Sequence, residues 1–411
     1  MNDFGCYIHV PFCAGGKCPY CAFYSVTYSP HLADSYFKAL IEQIRRIDVL
    51  KIDTIYIGGG TPTLLGGLRL REMISRIRDT LPVSEQPEIT IEASPETITD
   101  KMADHLAAAG ITRISLGMQS MVNKQLRVLE RRHTVEQSID ACELLRPYSF
   151  SISFDLLFGI PNQTLEDWDR SLRRAIGLNP DHISVYNLSY EEGTPFALGV
   201  RTGIITPVGS NNELKMYRAA VELLRENGYG HYEISNFSKP GAQSKHNLKY
   251  WEGKGYIGLG PAANSYIPGP PRWIRIAAVS DVRAYINAIE RLKDPWEMIE
   301  FLDLPMRSAE FLLLRLRLTK GFSTGDVENQ LKNVDPLEYI AALRPLIEDG
   351  FLVENAGRIS IPEERIFVSN SIILKAVELT EKLFQADKPE GKDDKNDPNK
   401  YARNFRGPDQ P

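Results

Sequence analysis

The strongest constraint on this fold is an alternation. Short apolar, strand-like runs are separated by amphipathic helical patterns through the first half of the chain. The strand candidates are CYIHVPF (6–12), DTIYIGG (53–59), EITIEA (88–93), TRISLGM (112–118), SISFDLLF (151–158) and HISVYNL (182–188). Their near-continuous apolar character suits strands covered on both faces, as in parallel sheets. Between them, Phe37, Leu40, Ile41, Ile44 and Ile47 recur at the spacing that puts them on one helical face, and Leu70, Met73, Ile74, Ile77 and Leu81 repeat it. Stretches near 98–109, 134–145 and 164–177 complete the set, the first closed by Gly110. Six strands with five helices predict an α/β fold whose right-handed crossovers curl the sheet into a partial (β/α)6 barrel. A doubly wound open sheet is the alternative, because strand order is not written in the sequence.

A chain of 411 residues exceeds what one core usually fills, and the rhythm changes near residue 200. Residues 1–200 are read as the barrel core. Residues 201–280, a helix over 210–228 and then a stretch rich in Gly, Pro and aromatics, are read as an irregular segment wrapping the barrel. Residues 281–385 are read as a mostly helical C-terminal domain; PLEYIAALRPLIEDGFLV followed by a hairpin through Asn355, Ala356 and Gly357 gives it a winged-helix-like pattern. Residues 386–411 are polar and nearly free of aliphatics, so a disordered tail is expected.

A formal net charge of −5 gives no electrostatic footprint for nucleic acid. No run of about 18 uncharged apolar residues appears, so no membrane span is expected, although peripheral membrane contact stays open. The N-terminus lacks the basic-then-apolar pattern of a secretory signal. The expected setting is the cytoplasm, where clustered cysteines are metal ligands or redox groups rather than disulfide partners.

Four of the five cysteines fall within GCYIHVPFCAGGKCPYCAF (5–23), and Cys13, Cys18 and Cys21 form a C-x4-C-x2-C loop directly after the first strand. Three thiolates on one tight loop can each hold one iron of a four-iron, four-sulfur (4Fe-4S) cluster, leaving the fourth iron open to a small molecule. Zinc competes, but its structural sites take four donors, and His9 is the nearest further candidate. Cys6 and Cys142 sit in apolar patterns and are expected in the core. GGGTPT, at the carboxyl end of the second strand, permits close backbone approach and offers N–H groups to a carboxylate. Asp155, in an otherwise apolar strand, needs a partner or a function. Glu92 and Gln119 read equally well as strand-end caps or ligand contacts, and Arg131 as a surface residue or a binder. His246, in HNLKYW (246–251), is by composition a packed histidine before it is an imidazole for heme iron.

YIHVPFC and CPYCAFYS resemble the cluster loop of radical S-adenosylmethionine proteins, in the branch of oxygen-independent coproporphyrinogen III oxidases and HemW heme chaperones. YIGGGTPTLL (56–65), EITIEASPETI (88–98), RISLGMQSM (113–121), FDLLFGIPNQTLEDW (154–168), YEEGTPF (190–196) and the stretch 232–261 follow in that family's order. The resemblance implies a cluster on Cys13, Cys18 and Cys21. It implies S-adenosylmethionine beside Tyr7, Tyr20, Gly59, Gly60 and Thr61, with Glu92 accepting the ribose hydroxyls. It also implies that Gln119, Arg131 and Asp155 line the site for substrate or a second S-adenosylmethionine. One departure stands out: the family has three residues between its first two cysteines, where Ala14, Gly15, Gly16 and Lys17 make four, an excess the glycines are expected to bulge outward.

Within the resemblance, the oxidase branch carries an N-terminal extension and a further cysteine two places after the third ligand. Here only twelve residues precede Cys13 and Phe23 stands at that further position, whereas an HNxxYW motif is associated with the chaperones. The implied function is a heme chaperone that passes heme between donor or acceptor proteins, with His246 as a tentative heme ligand. The oxidase is the alternative. A redox-sensing DNA-binding regulator is a remote third, since the candidate recognition helix carries Arg344 but also Glu338, Glu348 and Asp349.

Overall fold

The computed structural model describes residues 3–47, 51–269 and 273–384; the expected disordered tail lies outside the described residues. Strands β1 (Phe4–Val10), β2 (Ile52–Gly59), β3 (Val83–Ala93), β4 (Arg113–Gln119), β5 (Ser151–Phe158) and β6 (His182–Asn187) lie side by side in chain order, each parallel to the next. Helices α1 (Pro30–Arg46), α2 (Gly67–Thr80), α3 (Asp100–Ala108), α4 (Val135–Leu145) and α5 (Leu165–Gly177) fill the crossovers, and successive helices from α1 to α4 pack against one another. This order removes the doubly wound alternative, which needs a point where strand order reverses so that helices reach the second face. With helices on one face only, the twisted sheet curls around the other.

The strands are two-faced rather than apolar throughout. Ile114 and Leu116, Phe154 and Leu156, and Ile183 and Val185 are buried on the helix side. The alternating positions line the concave side: Glu92 pairs in register with Ser115, Ser115 with Ser153, and Asp155 with Ser184. Asp155 is therefore one member of a polar inner lining, not a lone charge in an apolar strand. Helices α4 and α5 start at capping boxes, Thr134 with Gln137 and Thr164 with Asp167.

After α6 (Ser210–Glu226), the segment expected to be irregular carries five short strands and one short helix among its described residues. β7 (Gly230–Glu233) and β8 (Asn236–Ser238) extend the sheet beyond β6. Helix α7 (Lys245–Trp251) follows, and then β9 (Tyr256–Leu259), β10 (Asn264–Ile267), β11 (Trp273–Ala278) and β12 (Trp296–Leu302) extend it beyond β1. The twelve-stranded order is β12-β11-β10-β9-β1-β2-β3-β4-β5-β6-β8-β7, with β9 parallel to β1. Strands of three or four residues are too short to write an alternation, which is why composition suggested loop.

The C-terminal region is mostly helical, with α8 (Val282–Glu290), α9 (Leu304–Arg315), α10 (Pro336–Ala342) and α11 (Ser369–Glu381). A small sheet joins β13 (Phe322–Ser323), β14 (Val353–Asn355) and β15 (Arg358–Ser360) in the order β13-β15-β14. The stretch read as one helix through PLEYIAALRPLIEDG breaks at Leu343, where Pro345 removes a backbone donor two residues on and disfavours helical conformation just before it. Among the described residues, the larger buried apolar cluster runs from Cys6 in β1 to Val377 in α11, and a smaller one gathers Leu129, Leu157, Ile160, Leu188 and Phe196.

Candidate functional site

Cys21, Tyr20, Gly59, Gly60, Thr61, Glu92, Gln119, Arg131 and Asp155 line one cavity of about 620 Å³ at the carboxyl ends of the barrel strands. The cysteine loop forms its lip. Phe12 and Cys13 pair with Val26 and Thr27 in a two-residue parallel clip, and Cys21 N–H donates to the Cys18 carbonyl at 3.1 Å, turning the loop back. Gly15 and Gly16 both take φ near +113°, at +112° and +114°, and no atom lies within 4 Å of where a Gly16 side chain would start. The extra residue of the C-x4-C spacing is thus absorbed by two left-handed glycines, Gly16 facing open space and Gly15 lying against the Arg132 guanidinium.

The triple-glycine turn does something other than cradle an anion. Gly59 N–H donates to Glu92 at 3.1 Å, Gly60 N–H to the Val10 carbonyl at 2.8 Å and Thr61 N–H to the Phe12 carbonyl at 2.6 Å. All three donors are spent tying the turn to the cysteine loop and to β3. A Cβ at Gly60 would sit 2.3 Å from the Phe12 carbonyl oxygen, so only glycine allows this approach.

Arg131 is no surface residue. Its guanidinium reaches Cys18 Sγ at 3.5 Å, Ser94 Oγ at 3.0 Å and the Gly117 carbonyl at 3.2 Å, while its Nε is buried without a partner. A fixed cation here can balance the negative charge of a thiolate bound to iron. Burial raises the Cys21 thiol, and its proximity to Cys18 and Cys13 adds to the shift. His9 is not a fourth donor: one ring nitrogen bonds the Tyr24 carbonyl at 2.9 Å, the other the Tyr7 hydroxyl at 3.0 Å, and burial holds the ring neutral. Among the described residues, no three His, Cys, Asp or Glu side chains converge on a point that would hold a single ion. A soft trio of thiols beside a guanidinium, with no further donor at hand, fits three corners of an iron–sulfur cube better than a four-donor zinc site.

Deeper in the cavity, Glu92 accepts from the Tyr56 hydroxyl at 2.8 Å and from Gly59, and burial pushes its carboxyl up to about 7 despite those bonds. Asp155 is raised by burial as well and accepts from Ser115 Oγ at 2.9 Å. Gln119 ends β4 at φ +61°, a left-handed conformation that turns the chain out of the strand. Tyr7 lies behind the wall: its ring sits 6.1 Å from that of Tyr56 and its hydroxyl is committed to His9. The sequence reading missed Tyr56, Arg113, Ser115, Ser184 and Tyr186 in the lining. Ser115 and Ser184 stand in register beside Glu92 and Asp155 on neighbouring strands, so only strand order could reveal them.

His246 is fully buried, and both ring nitrogens are occupied, Nδ1 by Thr54 Oγ1 at 2.9 Å and Nε2 by the Tyr250 hydroxyl at 2.8 Å. Its ring packs 5.2 Å from Tyr56, and burial drops its pKa to about 3. Ligation of a heme iron would require these bonds to be given up, so the packed reading describes this histidine. Asn247 of the same motif lines the cavity.

Residues 7–175 match the family model of the radical SAM superfamily, and residues 302–368 match that of the HemN C-terminal domain. The heme chaperone HemW of Lactococcus lactis is 32% identical over 90% of this chain and 96% of its own length. The chain belongs to the HemW family. Escherichia coli HemW is 33% identical over 89% of this chain and 96% of its own, and Bacillus subtilis HemW 32% over 89% and 97%. A solved coproporphyrinogen III oxidase (HemN) from Escherichia coli, a radical SAM enzyme, superposes with a TM-score of 0.78 over 91% of this chain and 90% of its own, at 22% identity. At the lip of the cavity, Phe23 is 69% exposed.

Proposed function

We propose that this chain is a heme chaperone that holds heme for transfer to acceptor proteins, with a 4Fe-4S cluster on Cys13, Cys18 and Cys21 and S-adenosylmethionine in the barrel cavity. The observation that carries the reading is the match along nearly the whole chain to HemW proteins at 32–33% identity. The likeness to the oxidase, at 22%, speaks for fold alone. Phe23 supports the same side, since it offers no thiol where the oxidase pattern has one.

When bound, the cluster supplies an electron to the sulfonium of S-adenosylmethionine. The chain's own residues would do the rest. Arg131 balances negative charge at Cys18. Glu92, once ionised, accepts the ribose hydroxyls. With their N–H groups spent, Gly59, Gly60 and Thr61 would receive the amino end of the ligand on carbonyl oxygens. Tyr20, whose ring lies 6.1 Å from Phe196, would close the lip against water. Gln119, Asp155 and Asn247 remain to position whatever lies beyond the adenosyl group.

The proposed compartment is a thiol-reducing cytoplasm, consistent with five cysteines in no disulfide. No helix among the described residues is long and apolar enough to cross a membrane. The regulator reading draws no support, because the candidate recognition helix breaks and Arg344 pairs with Glu354. A hemin titration followed by mixing with an apo-acceptor tests the proposal. Saturable binding with a Soret shift and transfer to the acceptor are expected, with no conversion of coproporphyrinogen III under anaerobic reducing conditions. Conversion would assign the oxidase instead.

A further inference from the structure

Arg131 is a cation without a carboxylate. None stands within ion-pair distance of its guanidinium among the described residues, and its hydrogen bonds run to the Cys18 thiol, the Ser94 hydroxyl and the Gly117 carbonyl, with the Tyr20 hydroxyl close by. The backbone fixes where the side chain starts. A short helix, Asn123–Val128, is followed by Glu130 at φ +52°, a left-handed conformation uncommon for any residue with a side chain. Glu130 N–H donates to the Arg127 carbonyl at 3.1 Å and Arg131 N–H to the Leu126 carbonyl at 2.8 Å, the paired bonds of a Schellman ending. That turn carries Arg131 away from the helix and toward the cysteine loop.

Behind the guanidinium runs a polar chain that the proposed function leaves without a role. Arg131 Nη2 donates to Ser94 Oγ at 3.0 Å, Ser94 Oγ donates to Glu96 Oε2 at 2.5 Å, and His133 Nδ1 lies 3.5 Å from the same carboxylate oxygen. His133 is anchored in turn by Nε2 on the Met118 carbonyl at 3.1 Å. Burial pushes the Glu96 carboxyl up, but His133 and Ser94 outweigh it and hold the group at about 2, so it is charged near neutral pH. A structural ion pair would close directly on that carboxylate. Here the fork is split: Nη2 meets Glu96 only through a hydroxyl, and Nη1 faces a thiol at 3.5 Å. The anion that completes the compensation of Arg131 is therefore Cys18 as a thiolate. Lys17 and Arg132 also stand at the loop, but both are exposed and solvent screens them.

We infer that Arg131 tunes the reduction potential of the cluster from the Cys18 corner, and that Glu96, acting through Ser94, holds this cation in place and moderates its charge. The inference rests on the cluster of the proposed function and gives Arg131, Ser94 and Glu96 a part in it. Reduction by an external one-electron donor adds one negative charge to the cluster and moves no proton among these groups. A positive charge at hydrogen-bond distance from a ligand thiolate stabilises the reduced state more than the oxidised one, so it raises the potential. The charge on Glu96 acts in the opposite sense, from behind the guanidinium.

The test is an EPR-monitored redox titration of the anaerobically reconstituted full chain, with iron and sulfide measured in each sample. Arg131→Met should make reduction about tenfold less favourable, a fall of about 59 mV for one electron. Glu96 is partly exposed, and Glu96→Gln keeps its shape and an acceptor for Ser94 while removing the charge. Its potential should rise, by about threefold in the same equilibrium. A role confined to structure has no reason to move the two variants in opposite directions. Where Arg131→Met does not retain the cluster, Glu96→Gln decides: a rise supports the inference, and a fall or no change overturns it. Potentials equal to the parent's in cluster-bearing variants, or shifts of one sign in both, would overturn it and leave the heme chaperone in place. An unsubstituted protein that assembles no cluster would overturn the inference and the cluster it rests on together.

Discussion

Glu92 gives the site its clearest dependence on pH. Its carboxyl titrates near 7 in the folded chain against an ordinary 4.5, so between those values the folded protein keeps a proton that the unfolded chain has released. Its contribution to stability is therefore full below pH 4.5 and falls as pH rises toward 7, by about 3 kcal/mol. Glu92→Gln should flatten that part of the profile and weaken S-adenosylmethionine binding, with the loss largest above pH 7, where the native group is an ionised acceptor. Denaturant unfolding at pH 5 and pH 8 measures the first effect, and a variant with an unaltered slope would contradict the burial assigned to this carboxyl. At this scale the chemistry-bearing residues were legible because motif spacing names residue types. The hydrogen bonds were not. Whether the N–H of Gly60 is free or spent depends on Val10, fifty residues earlier, and on the β1–β2 pairing that brings them together.

Helix α7 illustrates what single elements do. It has seven residues, too few to be stable alone, and is fixed from outside. The Glu88 carboxylate accepts from the backbone N–H groups of Lys245 and His246 at 3.1 and 2.9 Å, and the His246 ring bridges Thr54 of β2 to Tyr250. His246→Ala should cost about 2–4 kcal/mol in heme-free protein, from the cavity left behind and two bonds lost. A thermal or denaturant melt without heme reads this directly. A melt unchanged from the parent would show that the buried geometry is not what the histidine contributes. Elements with a full period were legible: α1 and α2 follow their apolar spacing, and the six barrel strands form where the apolar runs stand, although their polar inner positions were not foreseen as a lining. β7 to β10 were not, because three or four residues rich in glycine and tyrosine carry no period, and their pairing supplies what their sequence lacks.

For the whole molecule, strand order decided between architectures that the sequence left open, and it placed the thiol loop, the glycine turn and the inner carboxylates at one mouth. The C-terminal region shares a continuous apolar core with the barrel and encloses a second cavity, of about 860 Å³, against it. That cavity was illegible in advance, since Arg307, Trp273 and Gln330 meet only after both regions have folded. The account as a whole depends on what the three thiols hold. Iron and acid-labile sulfide analysis with EPR, on anaerobically reconstituted protein, tests it most directly. About four irons and four sulfides per chain are predicted, with a signal that changes on adding S-adenosylmethionine and is lost in Cys18→Ser. Zinc at those thiols, or no cluster under the same conditions, would contradict the account.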